Sequence, residues 1–129
     1  KSLSGQQEEL LARLVEAVRS GGMMPPRRGA LFEAAGVDDK AGMALVKLGT
    51  HSAQLVRVKD DLYYTPDTLA GIERKLRDFL AQRGQITGID FKDLTGVTRK
   101  HAVDLLEHFD AARVTIRLEN HRILREAQS

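Results

Sequence analysis

Apolar residues in the first third of the chain recur at the spacing of an amphipathic helix. The period of about 3.6 residues predicts a helix from about Ser4 to Arg19, and Ser4 is a suitable N-cap. The apolar stripe of this helix comprises Leu10, Leu11, Leu14, Val15 and Val18. The stretch GGMMPPRRG then breaks the chain.

After this break the pattern predicts a short helix, a turn, a second helix and a β-hairpin. The short helix runs from about Arg28 to Ala35 and ends at Gly36, and the second runs from about Asp38 to His51. The residues expected to face inward are Val37, Ala41, Leu45 and Leu48. The segment QLVRVKDDLYYT predicts two strands joined by a turn at Asp60-Asp61.

The second half of the chain repeats this order. A helix begins near Pro66, which suits a first helical turn, and ends at Gly84. The segment ITGID is a possible short strand, and a short helix is predicted from Asp90 to Thr95. A longer helix from Thr98 to Ala112 precedes a hairpin that turns at Glu119-Asn120.

The two halves align without a gap at an offset of sixty positions, which places Gly36-Val37 on Gly96-Val97. Identity between them is low, so the pattern indicates structural repetition. Helix, short helix, turn, helix and two-stranded wing is the order of a winged helix. The predicted fold class is therefore mainly α with small β wings (α+β), in two tandem winged-helix domains at residues 1–65 and 66–129.

Composition narrows the possible functions. The 129-residue chain has no cysteine, which excludes disulfides and thiolate chemistry, and its net charge is only +2. The absence of cysteine fits a reducing, cytoplasmic setting. No apolar run approaches the roughly 18 residues that span a bilayer, and no leader is visible, so we expect no membrane partner. Because the first residue is Lys1, we expect a fragment of a longer protein. No catalytic triad, phosphate loop or carboxylate pair stands out, which predicts a non-catalytic module. We also expect this module to be a monomer.

The two halves differ where the second helix of each winged helix begins. The first half has Asp38-Asp39-Lys40 there, and the second has Thr98-Arg99-Lys100. Acidic residues stabilise a helix start and repel phosphate, whereas cations do the reverse. The second wing adds further cations, so the sequence predicts an anion-binding surface formed by Thr98, Arg99, Lys100, Arg117, His121 and Arg122.

Other interpretations of these residues remain open. Wing arginines are often solvated charges that protect an edge strand. A DNA-binding transcription-factor fragment and a scaffold that contacts only protein both fit the architecture, although two DNA readers would be expected to carry two basic helices. His101, Asp104 and His108 share one edge of a helix and form a conceivable metal triad, but a solvated helix edge explains them better.

The segment from Phe91 to Asp110, F-x-D-L-T-G-V-T-R-K-x-x-x-x-L-L-E-x-F-D, is followed by Val114-Thr115-Ile116-Arg117. Together they resemble the last winged-helix domain of the bacterial selenocysteine-specific translation elongation factor. The resemblance covers about Ile86 to Arg125. Over the first half of the chain it is architectural, matching the winged helix that precedes the last one in that family.

This resemblance implies that the second domain binds a stem-loop in messenger RNA beside a UGA codon recoded for selenocysteine, while the first acts as a spacer. It also implies a parent protein with a GTPase domain that uses GTP and magnesium and works with the ribosome and selenocysteyl-tRNA. No cofactor is expected in the present chain. The family's Arg-Lys pair falls on Arg99 and Lys100, its wing arginine on Arg117, and its last-strand basic residue on Arg122.

The chain departs from the family pattern at three positions. His101 replaces the usual tyrosine, Asp104 replaces a common proline, and Ile116 replaces an arginine. An RNA loop is read through splayed bases that stack on planar side chains. With two Tyr, four Phe and no Trp in the chain, the candidates for stacking are Arg99, His101 and His121.

Overall fold

A computed structural model of the protein describes residues 4–125. The first helix, α1, spans Gly5–Ser20 and is capped by Ser4, as predicted. The Ser4 side chain accepts a hydrogen bond from the Gln7 backbone N–H at 3.1 Å, and the Ser4 N–H donates to Gln7 Oε1 at 3.2 Å. This reciprocal capping box fixes the helix start.

The rest of the first half contains α2 (Arg28–Ala35), α3 (Asp39–His51), β1 (Val56–Lys59) and β2 (Leu62–Tyr64). The two strands pair antiparallel, and α1 packs on α2 and α3. Their core is apolar and contains Leu11, Leu14, Val18, Leu31, Phe32, Ala35, Leu45, Val46 and Leu55. The Tyr64 hydroxyl donates to the Met23 carbonyl at 2.7 Å. This bond ties residues 21–26, here called the Gly-Pro loop, to the wing formed by β1 and β2.

The inward face of α3 was only partly predicted. Leu45 is buried as expected, and Val37 and Leu48 are half-buried against the core. The helix also buries three positions that were not predicted, Gly42, Val46 and Gly49. A Cβ atom built on Gly42 would lie 2.5 Å from Cγ of Phe32. Because the Phe32 ring occupies this space, the helix turns a glycine towards it, which an apolar-periodicity argument does not detect.

The second half contains α4 (Pro66–Arg83), β3 (Ile86–Thr87), α5 (Gly88–Thr95), α6 (Arg99–Ala111), β4 (Thr115–Leu118) and β5 (His121–Leu124). The strand order is β3-β5-β4, so β5 is paired on both sides. The helix α5 begins two residues earlier than predicted. The cause is a second capping box, in which Thr87 and Asp90 bond reciprocally to each other's backbone N–H groups at 3.0 and 3.1 Å.

The sixty-residue offset holds in the structure. The bounds of α5 and α6 each lie sixty positions after those of α2 and α3. Gly36 and Gly96 close the two short helices with left-handed φ angles of 74° and 78°, which glycine adopts without a Cβ clash. Ala53 and Arg113, after the longer helices, also share a positive φ, 64° and 66°. The predicted fold class, two winged helices of mainly α structure, is confirmed.

The chain divides into two compact units between Leu69 and Ala70. This boundary lies four residues after the predicted one, which followed residue 65. The first turn of α4 belongs to the first unit because its side chains are held there. Leu69 is buried, and Arg19 Nε lies 3.7 Å from Asp67 Oδ2. Among the described residues no helix is long and apolar enough to cross a membrane.

Candidate nucleic-acid interface

The start of α6 is capped by a neutral side chain. The Thr98 hydroxyl oxygen accepts a hydrogen bond from the His101 backbone N–H at 3.4 Å and lies 3.0 Å from His101 Nδ1. At the equivalent start of α3, the Asp38 carboxylate accepts from Ala41 N–H at 2.8 Å, and Asp39 adds a second negative charge in the first turn. The first turn of α6 holds no acidic residue, so no negative side chain there would oppose an anion at the exposed Arg99 and Lys100.

A groove of about 690 Å³ opens in the second unit between α5, α6 and the wing. Its lining includes four cations, one acid and an apolar wall. These residues are Thr87, Gly88, Ile89, Lys92, Arg99, Ala102, Val103, Leu106, Glu107, Arg117, Asn120 and Arg122. A surface with this composition attracts phosphates and offers apolar area to nucleobases.

The first unit fills the equivalent space with an aromatic ring. Lys92 and Ala102, which line the groove, occupy the positions of Phe32 and Gly42 at the sixty-residue offset. In the first unit the Phe32 ring is buried against Gly42. The exchange of a buried ring for a lysine that lies partly exposed therefore accounts for the open groove in the second unit.

The wing register places Arg117 opposite Arg122, so both side chains lie on one face of the sheet. Arg117 is exposed, and its Nε donates to the Glu119 carbonyl oxygen at 3.3 Å. Arg122 is only 8% exposed and is held by the carboxylate of Asp110, with Nη2 at 2.9 Å from Oδ2. Arg122 therefore lines the groove as a fixed side chain, whereas Arg117 projects from its rim.

The structure brings together three of the predicted site residues, since Arg99, Arg117 and Arg122 all line the groove. Thr98 and Lys100 are exposed beside it at the start of α6. His121 pairs with Leu118, one position out of phase with Arg122, so its side chain lies on the opposite face of the wing. His101, the other predicted histidine, is also outside the groove lining.

Of the twelve groove residues, nine were not among the predicted site residues, and three of these nine have charged or amide side chains: Lys92, Glu107 and Asn120. Lys92 was overlooked because the comparison of charges between the two halves covered only the start of the longer helix and the wing. A sequence argument was available for it, since the repeat aligns this lysine with the apolar Phe32. A cation that replaces an aromatic residue in a repeated scaffold indicates a change from packing to exposure.

The basic residues at the start of α2 are paired within the first unit. Arg27 Nη1 lies 3.1 Å from Asp61 Oδ1, and Arg28 Nη1 donates to the Asp60 carbonyl oxygen at 3.3 Å. These contacts join the Gly-Pro loop to the first wing turn. The Arg27–Asp61 ion pair also offsets one positive charge beside this wing.

The half-buried imidazole of His108 has a pKa below its ordinary value. Burial disfavours the charged form, and the Glu73 carboxylate acts in the opposite direction with a smaller effect. Among the described residues, no group of three His, Asp or Glu side chains is placed to hold a metal ion. The His108 ring packs edge-on against Phe109, with ring centroids 5.3 Å apart, and its titration is coupled to folding.

We expect acidification to destabilise the protein through His108. Since its pKa is lower in the folded state, the unfolded chain binds the proton more readily, and stability falls as the pH drops through the unfolded value. The variant His108→Gln should therefore lose stability less steeply than the unchanged protein between about pH 7 and 5. Urea unfolding at several pH values measures this difference. Parallel stability curves for the two proteins would contradict the prediction.

Comparison with known proteins adds an independent observation. Residues 78–124 match the family model described as elongation factor SelB, winged helix. The selenocysteine-specific elongation factor of Desulfomicrobium baculatum is 29% identical over 125 residues, covering 97% of this chain and 20% of that protein. The Escherichia coli (strain K12) protein of the same name is 30% identical over 97 residues, covering 75% of this chain and 16% of that protein. The chain spans one fifth or less of the length of these relatives.

Two solved structures share the fold. The mRNA-binding domain of elongation factor SelB from E. coli, solved in complex with SECIS RNA, matches with a TM-score of 0.82 and 27% identity, over 95% of this chain and 99% of that one. The bacterial elongation factor EF-Sec matches with a TM-score of 0.75 and 17% identity, over 96% of this chain and 20% of that one, which supports the fold alone. Residues 78–124 therefore match the winged helix of elongation factor SelB, and the chain as a whole is similar to the mRNA-binding domain of SelB from E. coli.

Proposed function

We propose that the chain is a non-catalytic RNA-binding module that recognises a messenger RNA stem-loop of the SECIS type, which directs selenocysteine insertion at UGA. The observation that carries this proposal is the groove of the second unit, where Lys92, Arg99, Arg117 and Arg122 converge. It lies in the segment that matches the SelB winged helix, and the similar E. coli domain was solved in complex with SECIS RNA. The first unit, whose equivalent groove is filled by Phe32, serves as a spacer.

The shape of the site favours a hairpin over duplex RNA. The major groove of A-form RNA is too deep and narrow to admit a helix, so a winged helix must grip phosphates and read bases that leave the stack. Cations surround the groove, while Ile89 (71% exposed) and Val103 (44% exposed) supply apolar contact area. Glu107 and Asn120 add acceptors that a base edge can use.

Within a longer protein this module would connect the hairpin to a GTPase domain that carries selenocysteyl-tRNA to the ribosome. GTP and magnesium would then be bound by that domain, and the present chain would act without a cofactor, as a monomer in the cytoplasm. The similarity to selenocysteine-specific elongation factors over most of the chain supports this placement.

A salt titration with three ligands tests the function. The ligands are the source organism's messenger hairpin beside a recoded UGA, the same hairpin with scrambled loop bases, and duplex DNA of equal length. We expect the native hairpin to bind at least about tenfold more tightly, with a salt slope of about three to four phosphates. Equal binding of all three would reduce the site to a non-specific cation patch, and preference for DNA would favour a transcription-factor module.

A further inference from the structure

A half-buried carboxylate, that of Asp110, lies at the point where α6 meets the wing of the second unit. Asp110 accepts a hydrogen bond from the Thr115 hydroxyl at 2.7 Å. It also accepts from Arg122, with Nε at 3.1 Å from both carboxylate oxygens and Nη2 at 2.9 Å from Oδ2. One side chain of the helix thus binds one residue from each of the two wing strands.

These contacts leave the three side chains little freedom. Thr115 is 1% exposed and Arg122 is 8% exposed, and Arg122 lies on β5, the middle strand. The Arg122 guanidinium contacts Asp110 through its Nε–Nη2 edge. Among the described residues, its Nη1 makes no hydrogen bond. Because Arg122 also lines the groove, the contact with Asp110 determines which edge of the guanidinium faces a ligand.

We propose that Asp110 is a positioning residue for RNA binding, which fixes Arg122 and the wing relative to α6 before the ligand arrives. Through Thr115 it holds β4, the strand that carries Arg117, and through Arg122 it holds β5. This inference rests on the proposed function, because it assigns Asp110 to the support of the same groove. A pre-oriented donor loses less conformational freedom on binding than a mobile one.

The sign of the effect separates positioning from simple charge. Asp110 is an acid beside a basic groove, so removal of its charge would, by electrostatics alone, strengthen the binding of phosphates. If Asp110 acts by positioning, the same removal weakens binding although the protein becomes more positive. Asp93, an exposed acid on α5 of the same unit, provides a control with the same charge change.

The experiment measures hairpin affinity over a range of salt concentrations for the unchanged protein, Asp110→Asn and Asp93→Asn, each shown to be folded by circular dichroism. We expect Asp110→Asn to bind about tenfold more weakly, with a salt slope smaller by about one phosphate. Asp93→Asn should bind as tightly as the unchanged protein or slightly more tightly, because it only removes a negative charge. A combined Asp110→Asn and Arg117→Ala variant should lose less than the sum of the two single losses, because Arg117 is already displaced in the first.

The outcomes are distinguishable. If the unchanged protein binds and Asp110→Asn binds equally or more tightly, the positioning role is overturned. If the unchanged protein does not bind the hairpin, the proposed function fails, and this inference fails with it. If Asp110→Asn does not fold, Thr115→Val decides. It keeps both charges and the side-chain shape but removes one hydrogen bond to Asp110, and a folded variant with undiminished affinity would overturn the proposal.

Discussion

Replacing Arg99 and Arg117 together by alanine is expected to weaken hairpin binding by about 2–5 kcal/mol, a factor of roughly 30 to several thousand. Both guanidinium groups line the groove, one from the start of α6 and one from the wing. Each is placed to make charge-assisted hydrogen bonds with phosphate, which are stronger than neutral ones. Both side chains are exposed, so the double variant should keep its stability, and its affinity can be measured by filter binding or calorimetry.

The repeat supplies matched controls for this double variant. At the sixty-residue offset, Arg57 corresponds to Arg117, and Asp39 corresponds to Arg99. Arg57→Ala removes an equivalent wing cation from the first unit, and Asp39→Ala alters the equivalent helix start. We expect both controls to leave hairpin affinity nearly unchanged. A loss at Arg57 as large as that at Arg117 would show that the two wings bind RNA alike and that the units have not diverged.

Truncation of Phe32 to alanine is expected to cost about 3–5 kcal/mol of stability, because it removes a buried ring and leaves a cavity. The ring is 2% exposed and lies against Gly42 in the first unit. The equivalent change in the second unit, Lys92→Ala, should alter stability by less than about 0.5 kcal/mol, because that side chain reaches solvent. It should instead weaken RNA binding. Denaturant unfolding and hairpin affinity, measured on both variants, separate the two roles.

A second substitution tests the geometry at this contact. A methyl group on Gly42 would lie 2.5 Å from the Phe32 ring, so Gly42→Ala should destabilise the unchanged protein. In the Phe32→Ala background that methyl group meets a cavity, and alanine is a better helix former than glycine by about 1 kcal/mol. The same substitution should then be neutral or stabilising. A destabilisation of equal size in both backgrounds would mean that Phe32 does not occupy the space beside Gly42.

Much of the fold can be predicted from local sequence, because capping residues and glycines mark the ends of its helices. Ser4 and Thr98 lie at helix starts as N-caps, and Gly36 and Gly96 end the short helices at positions that require a left-handed backbone. The start of α5 was missed because the capping box of Thr87 and Asp90 was not recognised, although its spacing is visible in the sequence. Such features act over a few residues, which makes them accessible without a structure.

The site was harder to predict for two reasons. Alternate residues of a strand face opposite sides of the sheet, and some side chains of the site are held by residues that are distant in the sequence. Arg99 could be predicted as a site residue because it lies at the start of a helix. The wing faces depend on the register, and a shift by one residue exchanges them, which is why His121 lies away from the groove while Arg122 lines it. The partnership of Arg122 with Asp110 joins residues twelve positions apart on a helix and a strand, and no periodicity predicts it.

The cap at the start of α6 has a consequence for how this scaffold can change. A carboxylate at that position, as in Asp38, would make the helix more stable and the surface less able to accept a phosphate. Thr98 keeps the hydrogen bond and gives up the charge. Selection at this single residue therefore acts in opposite directions on folding and on ligand binding. A protein with two copies of the scaffold can keep the more stable solution in one and accept the weaker helix start in the other.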